Sequence, residues 1–269
     1  MTTLGALSRA VLASALAVLV ATTAACGSKT PTTASSADDS VAKSSPGLGA
    51  QCGVNDTGVE KLVITAADGI NIIGARFGSG DHGVVLLPQL GNDLCSYWSY
   101  GKELSGQNYN VLAISYRNTG YSDEAKWDDK TADAIAAVRA LRKAGAKKVV
   151  LIGASIGAAT TMITGGRFPS ELDGLITLSL PPGDLDMTNG AGDDPHVPSE
   201  AAPLITAPLL MCWSQGDDSA IDPQHTIDLA TKTTNKAIIT KTGGFHGQAM
   251  LSGPDDVRPD IITFLKKFD

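Results

Sequence analysis

Strands alternating with helices predict an α/β fold: a mostly parallel central sheet, helices on both faces, and an antiparallel hairpin at its start. Three observations carry that prediction. Short apolar runs recur at residues 84–87, 111–114, 149–152, 175–178, 209–213 and 237–239, continuous or nearly so, as in strands buried on both faces. Helix-length segments lie between them. The clearest spans 131–144, with Ile135, Val138 and Leu141 on one face, Arg139, Arg142 and Lys143 on others, and Gly145 as its stop. Segments 223–231 and 259–268 are the other two. Finally, residues 61–65 and 70–77 are β-rich and flank Asp68-Gly69, a hairpin turn signal.

The chain of 269 residues has room for one good-sized core that needs neither a metal nor many disulfides to fold. Hydrophobic residues make up 43% and aromatics only 5%, so that core is built mainly from Ala, Val, Ile and Leu. The net charge of -7 is dispersed in short stretches, which argues against a nucleic-acid groove, where Lys and Arg cluster. Metal catalysis is not expected, because no His-x-x-x-His or clustered His/Asp spacing occurs. Nucleotide binding is not expected either: the glycines around Ser155 lack the lysine of a phosphate-binding loop.

Three regions follow from composition. Residues 1–25 read as a secretory signal, with Arg9, an apolar stretch over 10–21 too short to span a bilayer comfortably, and small residues up to Ala25. Residues 26–49 are rich in Ser, Thr, Ala, Pro and Lys without an apolar period, which predicts a flexible tether. Residues 50–269 form the folded domain. Cys26 at the cleavage point resembles the lipobox of bacterial lipoproteins, implying lipidation and a membrane anchor. Thr23 departs from the apolar residue preferred there, so plain secretion stays open. Export would favour joining Cys52 and Cys95, which flank apparent loops, while Cys212 sits in an apolar run as a buried free thiol.

The strand at 149–152 runs into Gly153-Ala154-Ser155-Ile156-Gly157, a G-x-S-x-G pattern between a buried strand and a helix. A turn this tight clashes with side chains two positions either side of the serine, hence the glycines. Ser155 then projects above the sheet, and the helix starting near Ile156 aims its amides at developing negative charge.

On this setting the chain resembles the α/β-hydrolase family from about residue 59 to 268, and within it the small single-domain esterases and dienelactone-hydrolase-like proteins. The family order is serine, acid, histidine. The resemblance places the base at His246, in Gly243-Gly244-Phe245-His246-Gly247 after the last strand, rather than at His82, His196 or His225. It places the acid at Asp217, a few residues beyond the strand at 209–213, with Ser214 standing where relatives often have glycine. Asp218 is the alternative one step away. The amide of Ile156 is the expected first oxyanion donor. The second should come from Pro88-Gln89-Leu90-Gly91-Asn92, where Pro88 has no amide and leaves Gln89 or Leu90. Arg117-Asn118-Thr119-Gly120-Tyr121-Ser122 only partly matches a further family landmark and reads as a structural turn.

The resemblance implies an exported serine hydrolase that cleaves small carboxylic esters through an acyl-enzyme intermediate, without a cofactor. Amide or peptide cleavage by the same residues, or a non-catalytic scaffold binding in the cell envelope, are the alternatives. Pocket shape is expected to depend on the aperiodic stretch 181–203, read as a lid or substrate-facing loop, and on Tyr97, Trp98 and Tyr100.

Overall fold

The computed structural model describes residues 47–56 and 58–269. The signal expected at 1–25, Cys26 and the tether expected from there through residue 46 lie outside the described residues. The tether expected up to residue 49 gives way earlier, because Leu48–Gln51 is already a short helix, α1, with Leu48 buried.

Eight strands form one sheet: β1 (Glu60–Thr65), β2 (Asn71–Phe77), β3 (His82–Leu87), β4 (Tyr109–Ile114), β5 (Lys148–Ala154), β6 (Gly174–Leu178), β7 (Leu209–Ser214) and β8 (Lys236–Lys241). Their order is β1-β2-β4-β3-β5-β6-β7-β8. The pairings β1/β2 and β2/β4 are antiparallel, and every later pairing is parallel. This is the fold class expected from the sequence, an α/β-hydrolase arrangement with the hairpin at its start.

The continuous apolar runs are explained by two cores, one on each face. Successive side chains of a strand point to opposite faces. Val84 and Leu86 accordingly enter the core under helices α2 (Trp98–Ser105) and α7 (Arg258–Leu265), while Val85 and Leu87 enter the core under α3 (Lys130–Lys143) and α4 (Ile156–Arg167). The two remaining helices are α5 (Pro198–Ala201) and α6 (Gln224–Leu229). Helix α3 starts one residue before its periodic stretch, because Asp129 caps it by accepting from the Ala132 amide at 2.9 Å. The segment 259–268 divides into α7 and a final 3-10 turn, Lys266–Phe268.

Two expectations about the pocket are corrected. Tyr97, Trp98 and Tyr100 are at most 6% exposed and belong to the core, not to a substrate pocket. Trp98 meets Phe77 edge-on at 5.3 Å, and the Tyr97 hydroxyl donates to the Leu87 carbonyl at 3.2 Å. The stretch 181–203 is no free lid. Arg167 on α4 donates to the Pro195 and Ala191 carbonyls at 2.7 and 2.9 Å, and the stretch ends in α5 and a 3-10 turn.

The turn after β4 is held by a buried cation. The Arg117 guanidinium donates twice to Asp133 Oδ1 on α3, at 2.9 and 2.8 Å, and reaches Asp68 in the β1–β2 turn. Cys52 and Cys95 are joined as a disulfide across 43 residues, tying α1 to the 3-10 turn Leu94–Tyr97 that follows the loop after β3. Cys212 is a buried free thiol, and burial pushes it well above its ordinary pKa. Among the described residues no helix is long and apolar enough to cross a membrane.

Candidate active site

Ser155 occupies the turn between β5 and α4 with φ 52° and ψ -116°, a conformation costly for any residue but glycine. Its amide donates to the Leu178 carbonyl at 2.9 Å, which pins the turn to β6. The flanking glycines are required by space. A Cβ on Gly153 would lie 1.9 Å from the Gly157 carbonyl oxygen, and one on Gly157 would lie 2.4 Å from the Leu87 carbonyl oxygen. The same close approach stacks the loop after β3 against the start of α4.

The ends of β7 and β8 bring Asp217 and His246 together. His246 Nδ1 lies 2.8 Å from Asp217 Oδ2, and Asp217 Oδ1 accepts from the Ser219 amide at 3.0 Å. Asp217 is buried, whereas Asp218 is exposed and takes no part in this pair. An Nδ1–H that donates to Asp217 leaves Nε2 as the ring's acceptor. Gly216 and Gly244 allow the two loops to touch: a Cβ on Gly216 would lie 3.0 Å from the Gly244 Cα.

Asp255, which the sequence did not single out, and Ser214, noted there only as a replacement for glycine, shape the histidine loop. Asp255 accepts from the Gly243 amide at 2.7 Å through Oδ1 and from the Phe245 amide at 2.9 Å through Oδ2. Desolvation pushes this buried carboxyl up, but bonds from the Phe245 amide, the Ser214 hydroxyl and the Gly243 amide outweigh it and hold its pKa below the usual range. Ser214 Oγ accepts from the Gly244 amide at 2.7 Å, a task that a glycine at this position could not perform. Neither residue carries a local motif: Asp255 folds back on the loop from 10 to 12 residues downstream, and Ser214 reaches it from the end of β7.

Beyond His246, Gly247 donates to Ser179 Oγ at 2.9 Å. A Cβ on Gly247 would lie 3.5 Å from the Ala154 Cβ, so the neighbour of the histidine packs against the neighbour of Ser155.

The remaining histidines lie elsewhere. His82 Nδ1 is 2.8 Å from Asp269 at the opposite sheet edge, His196 is 2.9 Å from Arg167, and His225 is exposed on α6.

In the loop after β3 the two expected donors differ. The Gln89 amide donates to Gln248 Oε1 at 3.4 Å, while the Leu90 amide, like that of Ile156, has no partner among the described residues. Leu90 itself is 76% exposed, so this loop borders solvent.

Residues 84–236 match the family model of the alpha/beta hydrolase fold, and the chain belongs to that family. Solved structures of similar shape include an esterase from Pyrococcus furiosus, at 18% identity and TM-score 0.65, covering 78% of this chain and 90% of that one. An esterase from Rhodococcus sp. aligns at 15% identity and TM-score 0.61, over 79% of this chain and 100% of the other. A monoacylglycerol lipase from Paleococcus ferrophilus aligns at 18% identity and TM-score 0.58, over 74% and 99%. At such identities the likeness is one of fold. No curated protein sequence matches the chain.

Proposed function

We propose that this protein is an exported serine hydrolase acting on carboxylic esters. The observation that carries the proposal is the 2.8 Å pair of His246 Nδ1 and Asp217 Oδ2, made at the same sheet edge as a serine in a strained strand-to-helix turn. In this reading Ser155 Oγ attacks the ester carbonyl carbon while His246 Nε2 takes its proton. The tetrahedral oxygen is held by the amides of Ile156 and Leu90. His246 then returns the proton to the leaving alkoxide, giving an alcohol and an acyl-Ser155. Water, deprotonated by His246, hydrolyses that acyl group to the free acid. Asp217 orients the imidazole and stabilises its cationic form. Ester substrates are favoured because the similar structures are of esterases and of a lipase that acts on monoacylglycerol.

The test is labelling by a fluorophosphonate probe together with turnover of short-chain p-nitrophenyl esters. Wild type should do both and Ser155→Ala neither. A wild type that shows neither overturns the proposal.

Export and anchoring belong to the same proposal. A signal over 1–25 would release a lipidated Cys26, with 26–46 as the tether, and the Cys52–Cys95 disulfide suits an oxidising compartment. In a bacterial host, Cys26→Ala should move the protein from the membrane fraction to the soluble exported fraction. Wild type already in the soluble exported fraction would argue for plain secretion.

A further inference from the structure

Two residues beyond His246, Gln248 joins the histidine loop to the loop after β3. Its Oε1 accepts from Asn92 Nδ2 at 2.8 Å and from the Gln89 amide at 3.4 Å. Its Nε2 donates to Ser96 Oγ at 2.8 Å, and its own amide donates to Gln89 Oε1 at 2.9 Å. The two glutamines thus clasp each other through backbone and side chain. The Gln89 side chain crosses directly over Gly247, where a Cβ would come within 2.5 Å of Gln89 Oε1. Gly247 also has φ 55°, so both space and backbone require glycine there.

We infer that Gln248 is a positioning residue: it turns the Gln89 amide away from the reacting atoms, leaves the Leu90 amide as the second oxyanion donor, and locks that donor to the loop carrying His246. The inference rests on the serine-hydrolase reading above. Its physical basis is that an oxyanion donor works only at hydrogen-bond distance from the tetrahedral oxygen, and a misplacement of about 1 Å can cost about a hundredfold in rate. The donor and the base sit on separate loops, and the clasp joins those loops by direct bonds between residues 159 apart in sequence.

The experiment measures kcat and KM on a p-nitrophenyl ester for the full chain, Gln248→Ala, Gln89→Ala and the double variant. Melting temperature and inhibition by a trifluoromethyl ketone, which adds to serine as a tetrahedral mimic, are measured alongside. Each single variant should lose about tenfold or more in kcat with KM within about twofold. The inhibition constant should rise in step with the loss in kcat/KM, and the double variant should be no worse than about the weaker single. If Gln248→Ala does not fold, Gln248→Asn withdraws the same carboxamide by one methylene and should show the same pattern.

An unchanged kcat, a rise in KM alone, or effects that multiply in the double variant would each overturn the inference. Wild-type protein without turnover or fluorophosphonate labelling would instead remove the serine-hydrolase reading itself.

Discussion

Asp217 and Asp218 are adjacent in sequence and opposite in circumstance. One carboxylate is buried against an imidazole, and the other is in water. Asp217→Asn should therefore lower kcat by roughly 10³- to 10⁴-fold, because the imidazole loses its orientation and its counter-charge. Asp218→Asn should stay within about twofold of wild type, since it removes no bond to the site. Ester turnover of the two purified variants decides between them, and a reversed result would exchange their roles.

Asp255 sets a pH dependence. Its folded pKa is depressed, so its contribution to stability is complete above the ordinary carboxylate range and is lost as pH falls through the folded value. Thermal melts between neutral and acid pH should show a steeper acid decline in wild type than in Asp255→Asn. The variant should also melt lower at neutral pH, because an amide cannot accept from both the Gly243 and Phe245 amides through two anionic oxygens.

At the scale of elements, the strand-to-helix turn and the disulfide carry the constraints. Gly153→Ala places a methyl where the Gly157 carbonyl oxygen already lies, so the turn must open. The expected outcome is loss of fluorophosphonate labelling, with a lowered melting temperature. The Cys52–Cys95 bridge closes a 43-residue separation, and its removal should cost roughly 2–4 kcal/mol on chain-entropy grounds. Melts with and without reductant, and of Cys52→Ser with Cys95→Ser, measure that cost. Helix α2 is the element least visible in the sequence. Its Gly101 weakens the helical pattern, yet that glycine is needed because a Cβ there would meet the Phe77 ring at 2.7 Å.

For the molecule as a whole, the sheet has two cores and gathers the candidate site at one edge. Ser155 after β5, Asp217 after β7, His246 after β8 and the loop after β3 all follow the carboxyl ends of parallel strands, where an open α/β sheet gathers its ligand-facing loops. The described residues from Gly47 onward contain both cores and every one of these loops. A chain beginning at Gly47 should keep the ester turnover of the full protein. One beginning at Gly53 should be less stable, since it lacks buried Leu48 and the disulfide.

What could be read from the sequence alone was whatever repeats or sits close together along the chain. The apolar runs marked strands because burial on both faces demands them, and Gly153 to Gly157 marked the serine turn because five adjacent residues suffice to build it. The pairing of His246 with Asp217 and not Asp218, the core position of Tyr97, Trp98 and Tyr100, the grip of Asp255 and Ser214 on the histidine loop, and the Gln89–Gln248 clasp are visible only in the tertiary structure. Each depends on which segments the folded chain packs side by side. A hydrogen bond between residues 159 apart leaves no periodicity or spacing from which it could be read.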